Sequence, residues 1–190
     1  MKPLASTLRP LANALERAGI PYVVGGSMAS SARGVIRSTF DIDIVAIVAP
    51  GMAERLAHEL GPEWYADPQQ MRDAIAAHRA FNVIHVPFGV KVDIFPATDD
   101  FHFEQLERAT KVALTFLDDS ALYPVATAED ILLAKLRWFR EGGGVSERQW
   151  NDIAGILSAN RGIDLNYLRL WAERLRVVDL LEKALAEAAE

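Results

Sequence analysis

Apolar residues in the first two thirds of the chain recur at two different spacings. Leu8, Leu11 and Leu15 recur every three or four residues, which predicts an amphipathic helix that ends near Gly19. Short apolar runs then predict strands at 22–24, 42–48, 81–86, 90–95 and 112–117. Between and after them, helical spacing predicts helices at 28–33, 52–60, 71–77 and 100–108. Alternating elements of this kind are typical of a mixed α/β sheet.

From residue 124 onward the pattern is helical only. Thr127 can cap the start of one helix, with Asp130 in the position of a capping box, and Ser146 with Gln149 can open the next. A Glu-Gly-Gly-Gly segment at 141–144 separates these two helices. We therefore divide the chain into an α/β core at 1–125 and a C-terminal helical subdomain at 126–190.

Composition narrows the class of protein. The chain has 190 residues, 51% of them hydrophobic, enough for one sizeable core and a small appendage. Because it has no cysteine, disulfides, zinc–thiolate sites and thiol catalysis are excluded. No apolar stretch approaches the ~20 residues of a membrane span, and the first residues lack a signal-peptide core, so we expect a cytoplasmic protein without a membrane partner. The formal net charge of −6 argues against a broad electrostatic grip on nucleic acid.

Asp41 and Asp43 lie two residues apart at the start of a predicted strand. Side chains two apart on a strand point to the same face, so these carboxylates repel one another unless a cation lies between them. Hard oxygen ligands of this kind suit Mg²⁺ or Mn²⁺. Taken alone, an Asp-x-Asp is more often a strand end in contact with solvent.

A Gly25-Gly26-Ser27 turn about a dozen residues earlier strengthens the metal interpretation. Glycine lets the backbone approach a ligand, Ser27 offers a hydroxyl, and free amides at the start of the next helix attract phosphate. A tight strand-to-helix turn without a ligand would use the same residues. The order of strand, turn, helix and acidic strand favours a triphosphate site beside a metal site.

A third carboxylate, Asp93, lies in the short apolar run around Val92 and Ile94. Three acids on neighbouring strands would complete a two-metal site for an attacking oxygen and a leaving pyrophosphate. Lys91 is two residues before Asp93 and so shares its face of the strand. An ion pair between Lys91 and Asp93 is therefore an equally good interpretation of Asp93 taken alone.

The segments GGSMAS, RSTFDID and VDIF together resemble the nucleotidyltransferase fold of the DNA polymerase β superfamily. That family combines a Gly-[Gly/Ser]-Ser turn, an Asp-x-Asp about a dozen residues later and a third aspartate on a later strand. The segment EDILLAKLRWFREGGGVSERQWNDIAGIL further resembles the AbiEii-like nucleotidyltransferase toxins and their small relatives. The resemblance covers residues 20–160, and the chain is short for the large added domains that some members use to hold nucleic acid.

The resemblance implies roles for individual residues. The implied catalytic and metal-binding residues are Asp41, Asp43 and Asp93, and the implied nucleotide-binding residues are Gly25, Gly26, Ser27, Arg37, Thr39, Lys135 and Asp152. On the helical pattern alone, Lys135 either extends past its apolar neighbours to solvent or faces a ligand. Asp152 borders the apolar stripe of its own helix, where it could pair with Lys135 across a helical hairpin.

The implied activity is metal-dependent transfer of a nucleoside monophosphate from a nucleoside triphosphate to an acceptor hydroxyl. The acceptor would be an RNA 3′ end, a protein or a small molecule, and the cofactor Mg²⁺ or Mn²⁺. The resemblance also implies a toxin-like component with a cognate antitoxin. The alternative is a non-catalytic nucleotide-binding or antitoxin-like partner protein that retains the fold.

Five aromatic residues could stack a base: Trp64, Tyr65, Trp138, Phe139 and Trp171. Aromatic residues at helical spacing are more often part of a core. The sequence does not separate these two roles.

Overall fold

The structure is a computed structural model that describes residues 2–35, 41–117 and 120–188. In these residues the α-helices are α1 (Lys2–Ala18), α2 (Gly26–Ala32), α3 (Ala53–Leu60), α4 (Pro68–Ala76), α5 (Asp100–Arg108), α6 (Ala128–Glu141), α7 (Glu147–Ala159), α8 (Leu165–Arg174) and α9 (Val178–Glu187). The strands are β1 (Tyr22–Val24), β2 (Ile42–Ala46), β3 (Trp64–Tyr65), β4 (Phe81–His85), β5 (Val90–Pro96), β6 (Thr110–Ala113) and β7 (Leu122–Val125). Every helix in these ranges is too short or too polar to cross a bilayer.

The seven strands form one mixed sheet in the order β3-β4-β5-β2-β1-β7-β6. At its centre, β2 runs antiparallel to β1 and parallel to β5. Burial along β2 alternates, with Ile42, Ile44 and Ala46 fully buried and Asp43 and Val45 partly exposed. Because side chains alternate along a strand, one face of the sheet packs on the core and the other carries the polar residues. The expected mixed α/β sheet is confirmed.

Helix α1 covers the buried face of the sheet. Leu8, Leu11 and Leu15 are fully buried, so the predicted apolar stripe is confirmed. The helix ends at Ala18, and Gly19 follows with a φ of +71°, a left-handed conformation that glycine adopts at little cost.

The two predicted helix starts after β7 are also confirmed. The Thr127 side chain accepts a hydrogen bond from the Asp130 backbone N–H at 3.2 Å and donates one to the Asp130 carboxylate at 2.8 Å. The Ser146 hydroxyl accepts from the Gln149 backbone N–H at 3.3 Å. The two bonds from backbone N–H groups each satisfy a donor that the first turn of a helix leaves without a partner.

The predicted strand at 112–117 is wrong. Strand β6 ends at Ala113, and Thr115–Leu117 forms a single 3-10 turn. The sequence pattern does not predict β3, which has two residues, or β7, which contains Pro124. Proline cannot donate to a strand ladder and so argues against a strand. In the described residues only helices follow β7, while the division into two units near residue 125 remains a prediction.

Helix α7 packs against the loop that leads from α2 toward the acidic strand. The Asn160 side chain donates to the Arg33 carbonyl at 3.0 Å. A side chain at Gly155 would meet Val35 at 3.3 Å, so the two segments are in close contact. The Arg33 guanidinium donates to the Ala126 carbonyl at 3.0 Å and is therefore a structural tie.

His85 is buried beside α1. Its Nδ1 lies 2.9 Å from the Thr7 hydroxyl oxygen, and its ring stacks on Trp64 with centroids 4.6 Å apart. Burial lowers the pKa of His85 from its usual 6.5, and the nearby Glu63 carboxylate opposes that shift only in part. The neutral imidazole is thus the form that the fold stabilises.

Acidification should weaken the fold through His85. Because the folded pKa of His85 lies below its unfolded value of 6.5, its stabilising effect is present above pH 6.5 and is lost as the pH falls further. The free energy of unfolding should therefore fall between pH 7.5 and pH 5.5 in part through this group, and His85→Phe should remove that part of the pH dependence. Urea unfolding at pH 7.5 and 5.5 measures this change in the free energy of unfolding, with His58→Gln on the surface of α3 as control. Equal pH dependence in wild type and His85→Phe would contradict this assignment.

Candidate active site

A cleft of about 670 Å³ opens between the polar face of the sheet and helices α5, α6 and α7. Its volume is in the range of small-molecule sites. Seven of the predicted catalytic and nucleotide-binding residues line it: Gly25, Gly26, Ser27, Asp41, Asp43, Lys135 and Asp152. The structure therefore brings the turn, the Asp-x-Asp pair and the two helical residues to one place.

Gly26 packs directly on the side chain of Asp43. Gly26 has a φ of +54°, and a Cβ atom there would lie 1.8 Å from Asp43 Oδ2. The Gly25 N–H donates to the Asp43 carbonyl at 2.9 Å, and the Ser27 backbone donates to the Asp43 carboxylate. The sequence predicts that Gly26 lets a phosphate approach the backbone. In the structure the Asp43 side chain occupies the space beside Gly26, so this prediction is incomplete.

Asp43 is the most perturbed carboxylate of the cleft. Burial raises its pKa, and the negative charges of Asp93 and Asp41 raise it further, while Lys135 acts in the opposite direction. Asp43 and Asp93 are directly paired across β2 and β5. Asp41 immediately precedes β2, and its side chain is exposed. The three acids are therefore close enough to repel one another, as the sequence spacing predicts.

Asp93 makes an ion pair with Lys91. The Lys91 Nζ lies 2.7 Å from Asp93 Oδ2, and Asp93 is not part of the cleft lining. The hydrogen bond from Lys91 to Asp93 raises the pKa of Lys91, and the charges of Asp41 and Asp43 raise that pKa further. The ion-pair interpretation of Asp93 is thus present in the structure, and Lys91 provides positive charge to the whole acidic group.

These acids fit a hard divalent cation by their chemistry. Among the described residues, no three His, Cys, Asp or Glu side chains are grouped as metal ligands would be. Asp41, Asp43 and Asp93 nevertheless offer carboxylate oxygens on or next to two adjacent strands, and the pKa of Asp43 is raised by burial and further by the charges of Asp93 and Asp41. A metal held by all three does not require Lys91 to leave, because the ion pair uses Asp93 Oδ2 and a carboxylate has a second oxygen.

Lys135 and Asp152 form an ion pair across the hairpin of α6 and α7. The Lys135 Nζ lies 2.9 Å from Asp152 Oδ2, with the two side chains 13% and 9% exposed. The predicted pairing is confirmed. Since both residues also line the cleft, the pair holds an ammonium group at the wall opposite the acidic strands.

Two predicted site residues cannot be placed. Arg37 and Thr39 fall at 36–40, outside the described residues, so their roles remain predictions. Val45 and Phe95 also line the cleft, although the sequence pattern did not single them out as site residues. Val45 lies two residues after Asp43, and Phe95 lies two residues after Asp93. Because residues two apart on a strand share a face, this spacing could have predicted both.

Comparison with known proteins identifies the fold. No family model matches the sequence, and no curated protein does. The solution structure of the antibiotic-resistance factor ANT(2'')-Ia matches with 15% identity and a TM-score of 0.51, over 98% of this chain and 97% of that chain. A crystal structure of ANT(2'')-Ia in complex with adenylyl-2''-tobramycin matches with 15% identity and a TM-score of 0.51, over 90% of this chain and 95% of that chain.

The chain has the nucleotidyltransferase fold. A nucleotidyltransferase-like protein from Paracoccidioides brasiliensis matches with 20% identity and a TM-score of 0.44, over 93% and 88% of the two chains, and we draw nothing from it. The structural similarity confirms the fold prediction. Because the sequence identity is only 15%, the resemblance to AbiEii-like toxins remains a prediction.

Gly26→Ala should destabilise the protein by about 2–4 kcal/mol, because it adds both backbone strain and a clash with Asp43. In the double variant Gly26→Ala with Asp43→Ala the contacts with the Asp43 carboxylate disappear and only a Cβ–Cβ contact of 2.8 Å remains, so part of the loss should be recovered. Urea unfolding of the single and double variants gives the coupling energy.

The matched control is Gly51→Ala, since no atom lies within 4 Å of a Cβ at Gly51. That change should alter stability by less than about 0.5 kcal/mol. Additive effects of the Gly26 and Asp43 substitutions would show that their contact does not hold the turn in place.

Proposed function

We propose that the protein transfers a nucleoside monophosphate from a nucleoside triphosphate to an acceptor hydroxyl, with Mg²⁺ or Mn²⁺ as cofactor. The supporting observation is the setting of Asp43, a partly buried carboxylate that contacts the Gly-Gly-Ser turn and lies beside two further acids. A cleft of suitable size opens from it, with Lys135 on the opposite wall. The nucleotidyltransferase fold supports the same activity.

The polar end of the cleft would hold the triphosphate. Gly26 and Ser27 offer backbone and hydroxyl groups on one side, and the Lys135 ammonium offers positive charge on the other. Asp41, Asp43 and Asp93 would hold the metal. When bound, the metal supplies charge neutralisation for the phosphates and for the leaving pyrophosphate.

The reaction is an in-line displacement at the α-phosphorus. The acceptor oxygen forms a bond to that phosphorus, the bond to the bridging oxygen breaks, and pyrophosphate leaves. The hydroxyl proton passes to a carboxylate, a role that we assign to Asp93. Most of the rate enhancement would come from positioning and charge neutralisation by these residues.

The acceptor is an RNA 3′ end, a protein hydroxyl or a small molecule, the last being the class of the tobramycin adduct in the ANT(2'')-Ia complex. A toxin-like role with a cognate antitoxin belongs to the same proposal. Incubation with each α-labelled nucleoside triphosphate, Mg²⁺ or Mn²⁺, and RNA, protein or aminoglycoside acceptors tests it. Label on one acceptor supports the proposal, and label on none of them contradicts it.

A second candidate is a non-catalytic nucleotide-binding or antitoxin-like partner protein. The ion pair between Lys91 and Asp93 favours it, because this pair neutralises the third acid, which is also not part of the cleft lining. Against it, a protein without catalysis has little reason to keep three repelling acids together. Nucleotide binding in the presence of Mg²⁺, followed by a turnover assay, separates the two candidates.

Asp43→Asn should abolish transfer, with a loss of at least about 100-fold, because the amide removes a metal ligand. Without metal the variant should melt slightly higher, by roughly 2–4 °C for a gain of about 1 kcal/mol, since like-charge repulsion is relieved. Asp73→Asn on the exposed side of α4 serves as control for both measurements. Unchanged turnover in Asp43→Asn would sink the proposed mechanism.

Lys135→Met should destabilise the protein by about 3 kcal/mol at most, because it removes the ammonium that pairs with a largely buried Asp152. The double variant Lys135→Met with Asp152→Asn should recover most of that stability. If Lys135 also contacts the triphosphate, the double variant should still need far more nucleotide for half-maximal transfer. Recovery of both stability and nucleotide use would assign the pair a structural role only.

A further inference from the structure

The floor of the cleft changes from acidic to apolar along two strands. Asp43 is paired with Asp93, and two residues further along Val45 is paired with Phe95. Residues two apart on a strand share a face and lie about 6.5–7 Å apart. The face that carries the acids therefore continues into an apolar surface within the same cleft.

Helix α6 repeats this division on the opposite wall. Lys135 and Trp138 are three residues apart, so they lie on the same side of the helix, and both line the cleft. Lys135 is held by Asp152 at the acidic end. Trp138 packs edge-to-face on Phe95, with ring centroids 5.4 Å apart and planes at 84°. The two walls thus place an aromatic pair beyond the acidic group.

Trp138 differs from the other aromatic residues that could stack a base. Its side chain is 50% exposed, whereas Trp64, Phe139 and Trp171 are buried in the core. Tyr65 is equally exposed but does not line the cleft. The edge contact with Phe95 holds the indole while much of its surface stays available to a ligand.

We propose that Trp138, supported by Phe95, stacks the nucleobase of the nucleoside triphosphate. This proposal rests on the proposed function. With the phosphates at the end of the cleft that holds Gly26 and Lys135, the ribose separates them from the base, which then lies at the apolar end. Every base has a π face, so stacking on an aromatic ring tolerates base identity. Trp138 therefore distinguishes a nucleotide from a bare polyphosphate and leaves the choice of base to other groups.

Binding of two probes in the presence of Mg²⁺ tests the proposal on the full chain. The first probe is each of the four nucleoside triphosphates, and the second is inorganic tripolyphosphate, which has no base. In Trp138→Ala, affinity for the nucleoside triphosphates should fall by about 5- to 150-fold, and affinity for tripolyphosphate should change by no more than about twofold. Trp138→Phe should retain most of the nucleotide affinity.

Tyr65→Ala removes an equally exposed aromatic ring from β3 and should leave both affinities unchanged. Unchanged nucleotide affinity in Trp138→Ala would overturn the base-stacking proposal while leaving the proposed function intact. An equal loss for both probes would also overturn it, since it would show a distorted cleft. A wild-type protein that binds tripolyphosphate as tightly as nucleotides would overturn it too, and one that binds no nucleotide would remove the proposed function itself.

Discussion

The contact between the Gly26 backbone and the Asp43 carboxylate fixes the geometry of the cleft. With a Cβ position only 1.8 Å from Asp43 Oδ2, a side chain at residue 26 is incompatible with this arrangement. Strand β2 lies at the centre of the sheet, so Asp43 cannot move aside without disturbing both neighbouring strands. The positions of the turn, of α2 and of the acidic group therefore depend on one another through this contact.

The helical part of the chain is coupled to the same site by two sets of contacts. The Lys135–Asp152 pair places an ammonium group opposite the acids. At the other end of α7, Asn160 bonds to the Arg33 carbonyl in the loop after α2. A change in the packing of α7 would therefore reach both walls of the cleft. The candidate site therefore includes residues of α6 and α7 as well as the acidic strands.

Features that depend on local sequence were predictable, and those that depend on side-chain direction in three dimensions were not. The Thr127 and Ser146 caps, the burial of Leu8 and the shared face of Asp41 and Asp43 follow from spacing alone. Strand β7 escapes prediction because its pairing with a distant strand outweighs the effect of its proline. Sequence spacing allowed Asp93 both an ion pair with Lys91 and a place in the acidic group, and only the fold shows that the ion pair forms. Likewise, helical spacing could not show that Trp138 is exposed while Phe139 is buried.

The charges around Asp43 impose a compromise between stability and metal binding. Burial raises the pKa of Asp43, and the charges of Asp93 and Asp41 raise it further, which means that the ionised Asp43 is unfavourable in the folded protein at neutral pH. Lys91 offsets part of the repulsion between these charges through its ion pair with Asp93. On the proposed function a divalent ion would do the same more strongly and would share the Asp93 carboxylate with Lys91. The Lys91–Asp93 pair therefore stabilises the metal-free protein, and because it already neutralises part of the negative charge it also weakens the attraction for a metal, so Lys91 balances these two properties.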